Sequence, residues 1–225
     1  MPALKALNLS SNHLTGGLEP LSSCTALRAL HLDENDLTGG LGPLQSCTAL
    51  EVLSIARQFG NQLTGDLEPL RGCTALQDLT LTQHLLTGGL EPLQGCKALV
   101  ALILSDNQLS GGLEPLGKCT ALEHLVLYAN QFTGGLEPLK CCKVLQHLAL
   151  EDNAQLTGDL EPLRTCTLLQ ELTIENTQLF PTDEDYSHFV HLLPRRTVVT
   201  AVWPVVDDDD GDDDDDDDDD DANAV

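Results

Sequence analysis

The chain has 225 residues, of which 36 are acidic and 11 are basic, so its formal net charge is −25 at pH 7. A surface of this sign repels the phosphates of nucleic acids and of anionic lipids, which argues against direct nucleic-acid or membrane binding and favours basic partners. The opening residues lack a basic segment followed by a long apolar run, and no stretch approaches eighteen apolar residues. The sequence therefore predicts neither a signal peptide nor a membrane span.

One repeating unit builds most of the chain. The first copy begins at Leu4 and reads "LKALNLSSNHLTGGLEPLSSCTA". Later copies, spaced by 23 to 26 residues, begin at Leu27, Leu50, Leu76, Leu99, Leu122, Leu145 and Leu169. The pattern L-x-x-L-x-L-x-x-N-x-L resembles the leucine-rich repeat, and the segment "LTGG" resembles its plant-type subclass. In that subclass the threonine and glycine begin a second short strand beside the first.

The repeat predicts an α/β solenoid. The "LxL" segment has a period of two, so both leucines face inward from a short strand that cannot bury its apolar face alone. Stacked copies give a parallel sheet and one continuous core. A proline in nearly every unit rules out a long helix on the other side. We therefore expect a curved horseshoe with a parallel β-sheet on its concave face and a mostly non-helical convex side.

Two columns of the repeat predict turns. The first holds buried asparagines whose amides can bond backbone groups that the turn leaves free: Asn12, Asn35, Asn61, Asn107, Asn130 and Asn153. His84 and Thr177 interrupt this column, so we expect less regular turns there. The second column holds a glycine after each "LT" or its equivalent, which predicts a backbone conformation or a close approach that a Cβ would obstruct.

Seven of the eight cysteines share one column of the repeat, and Cys141 is the extra one. There is no C-x-x-C pair of the kind that binds zinc. A free cysteine packs as a small apolar residue, so we expect a buried, reduced row. A reducing compartment, the nucleus or the cytoplasm, is the natural home of such a protein.

The chain divides into leucine-rich repeats over residues 1–180, a C-terminal cap over residues 181–206 and an acidic tail over residues 207–225. The segment "DYSHFVHLLPRRTVV" resembles the cap of the acidic nuclear phosphoprotein 32 family, in which an acidic tail follows. The matching residues are Asp185, Tyr186, Val190, Leu192, Leu193 and Pro194. The resemblance implies histone binding, chaperone-like activity and a nuclear location.

The tail holds fourteen aspartates, and without them 22 acidic residues still face 11 basic ones. Like charges repel, so the sequence predicts an extended, disordered segment. Such a segment competes with DNA for proteins rich in lysine and arginine. The alternatives are a solubilising tail without a partner and a loose Ca²⁺ buffer. The tail residues predicted to bind a partner are Asp207, Asp208, Asp209, Asp210, Asp212, Asp213, Asp214 and Asp215.

Acidic residues also gather on the last repeats of the predicted sheet. The column after the strand runs Ser10, Asp33, Ala56, Thr82, Ser105, Tyr128, Glu151 and Glu175. We expect a patch for a basic partner, unless these are ordinary solvated positions, at Tyr128, Glu151, Asp152, Glu171 and Glu175. His124, His147 and Glu171 share another column, where they could approach one ion or be solvated.

The sequence shows no nucleophile with its base, no phosphate loop and no metal-ligand set, so we expect a non-enzymatic protein-binding module without a cofactor. The preferred hypothesis is an acidic protein that captures basic partners such as histones. A generic adaptor with a solubilising tail is the alternative. No N-terminal cap precedes Leu4, Leu7 and Leu9, so the exposed edge could also mediate self-association.

Overall fold

The computed structural model describes residues 3–56, 60–180 and 198–200, in which seventeen strands are numbered along the chain. The "LxL" segments form a nine-stranded parallel sheet in the order β1-β3-β5-β7-β9-β11-β13-β15-β17. Its strands are β1 (Ala6–Asn8), β3 (Ala29–His31), β5 (Val52–Ser54), β7 (Asp78–Thr80), β9 (Ala101–Ile103), β11 (His124–Val126), β13 (His147–Ala149), β15 (Glu171–Thr173) and β17 (Val198–Thr200). Equivalent residues of successive repeats are therefore neighbours.

The expected second strand is present in every repeat, and these strands form an eight-stranded parallel sheet. They are β2 (Thr15–Gly16), β4 (Asp36–Gly39), β6 (Gln62–Gly65), β8 (Leu85–Gly88), β10 (Gln108–Gly111), β12 (Gln131–Gly134), β14 (Gln155–Asp159) and β16 (Gln178–Phe180). The backbone conformation accounts for the glycine column, because the φ angles of these glycines lie between 79° at Gly134 and 101° at Gly158. A side chain is strained in that left-handed region.

The convex side consists of single 3-10 turns, in agreement with the expected non-helical character. They are η1 (Glu19–Leu21), η2 (Gly42–Leu44), η3 (Glu68–Leu70), η4 (Glu91–Leu93), η5 (Glu114–Leu116), η6 (Glu137–Cys141) and η7 (Glu161–Thr165). A proline stands at the start of each turn, where its fixed φ fits and its missing N–H leaves no bond unmade. Together with the two sheets, these turns enclose one leucine core.

The cysteine column is a buried ladder, as the sequence predicted. All eight cysteines are free thiols, and Cys141 alone among them is exposed. The Sγ of each inner cysteine donates to a backbone carbonyl of the preceding repeat, with Cys119 Sγ 3.5 Å from the oxygen of Cys96. Each inner thiol thus fills the core and also has a hydrogen-bond acceptor there.

The asparagines bond backbone groups of the turns as expected, but Asn12 in the first repeat is exposed rather than buried. The Nδ2 of Asn130 donates to the carbonyls of Leu104, Leu127 and Tyr128, at 3.0, 3.0 and 3.2 Å. Its Oδ1 accepts from the backbone N–H of Leu109 at 3.0 Å. One side chain therefore ties its own turn to the preceding repeat by two hydrogen bonds.

The expectation of irregular turns at His84 and Thr177 is wrong for the backbone. The residues before them, Gln83 and Asn176, have φ angles of 60° and 54°, close to the 55° of Asp106 in a regular repeat. His84 is buried, its Nδ1 accepts from the N–H of Leu63 at 3.4 Å, and its Nε2 lies 2.5 Å from the carbonyl of Ile55. The imidazole thus replaces part of the asparagine's bonding, and the turn keeps its shape.

Both ends of the stack differ from its middle. At the N-terminal end β1 is the edge of the described sheet, and Leu9 and Leu14 are 37% and 38% exposed. At the other end β17 pairs in parallel with β15. Apart from β17, the predicted cap and the whole acidic tail lie outside the described residues. Among the described helical turns, none is long and apolar enough to cross a membrane.

Candidate partner-binding surface

The outward-facing side chains of the nine-stranded sheet form one continuous surface, called here the open face. Strand register places equivalent residues side by side, so that Thr80, Ile103, Val126 and Ala149 form a row across four strands. These side chains are half-buried, whereas the leucines that alternate with them are buried. The open face is thus the exposed side of the strands that carry the core.

A shallow groove of about 570 Å³ crosses the open face near the C-terminal ends of the strands. Its lining comes from five successive repeats: Asp33, Glu34, Ser54, Ala56, Thr82, Gln83, Ile103, Ser105, Val126 and Tyr128. The middle of the groove has small or uncharged polar side chains. One end has two acids, and the other end has an aromatic and two aliphatic side chains. The groove therefore presents a charged section and an apolar section to one ligand.

The acidic end of the groove is rigidly built. Asp33 Oδ1 accepts from Ser54 Oγ at 2.6 Å and from the N–H of Ala56 at 2.7 Å. Its Oδ2 accepts from Ser10 Oγ at 3.1 Å. Glu34 is exposed, and its Oε2 accepts from Ser11 Oγ at 2.9 Å. These donors fix both carboxylates beside the groove without neutralising their charge.

The structure separates the predicted patch into two parts. Tyr128 lines the groove, which extends from it toward the N-terminal repeats. Glu151, Asp152, Glu171 and Glu175 lie on the open face beyond Tyr128, in the last two repeats, and do not line the groove. The predicted acidic residues therefore flank the groove at its apolar end.

Two of these acids are tied to the neighbouring repeat. Glu151 is half-buried, and its Oε2 accepts a short hydrogen bond from the hydroxyl of Thr173. Asp152 is exposed in a left-handed turn with φ 57°, and its Oδ1 accepts from Asn176 Nδ2 at 2.7 Å. Glu175 is half-buried in the equivalent turn of the next repeat. The carboxylates are held in place by neutral donors, so the patch keeps its negative charge.

The column of His124, His147 and Glu171 forms a stacked row. The two imidazole rings are parallel within 10°, with centroids 4.8 Å apart. The Nδ1 of His147 lies 3.0 Å from Oε2 of Glu171, whose side chain is 64% exposed. Within the described ranges, no three His, Cys, Asp or Glu side chains are grouped to hold a metal ion. The row is therefore a polar strip along the open face.

Sequence reasoning missed the acidic end of the groove and its aliphatic wall. Asp33 and Glu34 lie in the second repeat, far along the chain from Tyr128, and Ile103 and Val126 look like ordinary strand residues. The available signal was the column that pairs small residues such as Ala56 with Tyr128. The predicted tail residues, Asp207 to Asp210 and Asp212 to Asp215, lie outside the described part of the chain.

Comparisons with known proteins agree with this architecture. A family model described as Leucine Rich Repeat matches residues 3–24. A comparison with curated protein sequences finds no match. The crystal structure of internalin C2 from Listeria monocytogenes is similar at 25% identity and a TM-score of 0.65, over 88% of this chain and 80% of that one. The chain therefore carries leucine-rich repeats in a parallel-stranded solenoid.

Two plant receptor ectodomains have the same repeat arrangement over part of their length. The GASSHO1/SCHENGEN3 ectodomain from Arabidopsis thaliana is 25% identical with a TM-score of 0.57, and the match covers 89% of this chain and 30% of the ectodomain. The Arabidopsis HAESA ectodomain is 22% identical with a TM-score of 0.66, covering 90% of this chain and 39% of that one. This chain thus corresponds to less than half of either ectodomain.

Proposed function

We propose that the protein is a non-enzymatic binding module that captures basic protein segments on its open face, with histones as the partner class that fits best. The observation that carries this proposal is the distribution of charge. Acids stand at both ends of the groove region, whereas the lysines and arginines of the described open face are confined to Lys5 and Arg28 in the first two repeats. A cationic segment would meet attraction along most of the surface.

The structural neighbours support a polypeptide as the ligand. The GASSHO1/SCHENGEN3 ectodomain was solved in complex with CASPARIAN STRIP INTEGRITY FACTOR 2, and the HAESA ectodomain with a peptide hormone. Those ligands belong to those proteins. What carries over is that an ectodomain with this repeat arrangement can bind a peptide, and we infer the basic chemistry of the peptide here from the acids.

The aspartate run supports a basic partner independently of the open face. Its fourteen carboxylates compete with DNA phosphates for lysine and arginine, and binding to either releases counterions. The resemblance of residues 185–199 to the cap of the acidic nuclear phosphoprotein 32 family points in the same direction, toward a histone chaperone. The reduced cysteine column supports a nuclear or cytoplasmic location. A generic adaptor with a solubilising tail is the competing proposal.

Titration of a core histone complex into the full chain and into a chain ending at Val206 tests the proposal. We expect the full chain to bind more tightly, and its affinity to fall steeply between about 50 mM and about 200 mM salt because binding neutralises charge. Equal affinities for the two chains would make the tail an idle, solubilising segment. Absence of histone binding to either chain would contradict the proposal as a whole.

A matched pair of variants separates the open face from overall charge. Replacing Glu151, Glu171 and Glu175 by glutamine removes three charges from the open face. Replacing Glu19, Glu91 and Glu114 by glutamine removes three charges from the convex side. The first variant should weaken histone binding severalfold and the second should not, since only the first set faces the partner. Equal losses would indicate that charge alone attracts histones.

The exposed N-terminal edge supports self-association as a second mode of interaction. β1 has an unpaired outer edge within the described sheet, and Leu9 and Leu14 are more than a third exposed, although the equivalent leucines of later repeats are buried. Two such edges can pair about a two-fold axis and cover these leucines. We expect a concentration-dependent dimer in sedimentation, and loss of the dimer in Leu9→Lys. A monomer at every concentration would contradict this mode.

A further inference from the structure

We propose that the segment captured on the open face lies extended along the groove, perpendicular to the strands, with one large apolar side chain between two cationic ones. This inference rests on the proposed function and specifies its ligand. The apolar side chain would occupy the section lined by Ile103, Val126 and Tyr128. One cation would lie at Asp33 and Glu34, and the other at the acids beyond Tyr128.

The apolar section is a specific feature of the fifth and sixth repeats. Ile103 and Val126 are direct neighbours on β9 and β11, and the equivalent residues of the two preceding repeats are Ser54 and Thr80. Ile103, Val126 and Tyr128 are half-buried, so each keeps apolar surface available to a ligand. Covering that surface with an aromatic or aliphatic side chain is favourable because it removes apolar area from water on both sides.

The acidic section at the N-terminal end, which would bind the first cation, is preorganised. The Asp33 carboxylate already accepts three bonds from Ser10, Ser54 and the N–H of Ala56, which hold it in one position. Glu34 accepts one bond from Ser11 Oγ and is exposed, so a ligand can reach its carboxylate. Two adjacent carboxylates fit a guanidinium, whose several donors match more than one acceptor.

The acidic section at the C-terminal end, which would bind the second cation, lies one and two repeats beyond Tyr128. Glu151 and Glu175 follow β13 and β15 in the same column as Tyr128, and Asp152 is next to them. Glu151 is held by Thr173 and Asp152 by Asn176. A segment that passes Tyr128 in the direction of the groove therefore reaches these acids next.

Strand spacing sets the distances between the three sections. Neighbouring strands are about 4.8 Å apart and an extended chain advances about 3.3 Å per residue. Three to four strand intervals separate Glu34 from the apolar wall, which corresponds to about five peptide residues. Two to three intervals separate the wall from Glu175, which corresponds to about four. The ligand pattern is a cation, an apolar residue about five positions on, and a second cation about four positions further.

Fluorescence anisotropy with synthetic peptides of about ten residues tests the pattern. The probe has arginine at both ends and phenylalanine at the spacing given above, and glycine and serine fill the other positions. Serine in place of phenylalanine should weaken binding about tenfold, the loss expected for an aromatic side chain that no longer covers the wall. A scrambled peptide with its two arginines adjacent should bind more weakly by a similar factor.

Variants of the protein provide matched controls. Val126→Thr should weaken binding of the phenylalanine peptide severalfold, whereas Val52→Thr, an equally half-buried change on β5 away from the groove, should not. Glu34→Gln should weaken every arginine peptide, whereas Glu91→Gln on the convex side should not. Glutamine is compatible with the left-handed turn of Glu34, since Gln83 occupies the equivalent turn.

The outcomes distinguish this inference from the proposed function. If histones bind but all peptides of equal charge bind equally, or none binds, the patterned ligand is wrong and capture of basic proteins stands. If histones also fail to bind, both are wrong. Three results together support the inference. The phenylalanine peptide is preferred, Val126→Thr weakens its binding, and Val52→Thr does not.

Discussion

The thiol of Cys96 donates a hydrogen bond to the carbonyl oxygen of Cys73, one repeat earlier, over 3.4 Å. Cys119 repeats this contact with Cys96, and Cys142 repeats it with Cys119, both at 3.5 Å. All these side chains are fully buried. Burial disfavours the thiolate and raises the pKa of Cys96 and of Cys142 to about 12. The ladder therefore requires protonated thiols.

Removing a thiol from the ladder should change how stability depends on alkaline pH. A buried cysteine whose pKa is raised from 9.0 to about 12 ionises first in the unfolded chain, so its contribution is complete below pH 9 and is lost as the pH rises toward 12. In Cys142→Ala, the fall of unfolding free energy with pH should be shallower near pH 10 by on the order of 1 kcal/mol per pH unit. Urea unfolding at several pH values measures the slope.

Cys141→Ala is the matched control for that experiment, because the neighbouring thiol is exposed. This variant should behave as the parent protein at every pH. Identical slopes for the parent and Cys142→Ala would contradict the assignment of a neutral, buried thiol ladder.

Asn130→Ala should be among the most damaging substitutions of a polar residue. It removes a side chain that bonds three carbonyls and the N–H of Leu109, and it leaves these groups buried without that partner. We expect a loss of about 3 kcal/mol in unfolding free energy. Gln131→Ala, at the exposed next position, should cost far less. Similar losses in chemical denaturation would show that the asparagine column is not a structural requirement.

His84→Asn should stabilise the protein. The imidazole bonds Ile55 in the preceding repeat, whereas an asparagine such as Asn107 bonds the equivalent carbonyl of Leu81 and two carbonyls of its own turn. The backbone at this turn is already regular, so asparagine can adopt the same position. We expect a gain of about 1 kcal/mol. A lower melting temperature would mean that His84 makes packing contacts that asparagine cannot replace.

Ala129→Asn should also raise stability, by up to about 1 kcal/mol, because asparagine tolerates the left-handed region better than alanine. Ala129 has a φ angle of 52° in the turn after β11. Ala98→Asn, an exposed change at a residue without positive φ, controls for the side chain itself. In thermal unfolding, the melting temperature should rise for Ala129→Asn and should not rise for Ala98→Asn. A rise in Ala98→Asn alone would contradict the explanation.

The repeat made it possible to predict the fold and the environment of most positions within each repeat. Each column of the repeat has one local environment, because equivalent residues of stacked repeats are neighbours. This holds for the alternating leucines, the cysteine row and the glycines of the second sheet. The turn at His84 was harder to predict, because an imidazole can supply one acceptor and one donor at nearly the positions of the amide. Backbone shape there follows from the stack rather than from one side chain.

The binding surface was only partly predictable from the sequence. Acids on the last repeats were visible as a cluster, but the groove depends on differences in side-chain size between repeats that are far apart along the chain. Ser54 and Ala56 leave a depression that continues as far as Tyr128 and ends at Asp33. Side chains of several repeats form the groove together, so the sequence of a single repeat does not predict it.

The most direct test compares two single lysine substitutions that change the net charge equally. Val126→Lys places a cation in the middle of the open face, and Gln94→Lys places one on the exposed convex side after η4. The affinity of each variant for a core histone complex is measured by titration calorimetry at one salt concentration. We predict a loss of at least about tenfold for Val126→Lys and near-parent affinity for Gln94→Lys. Equal affinities for the two variants would contradict binding of the basic partner at the open face.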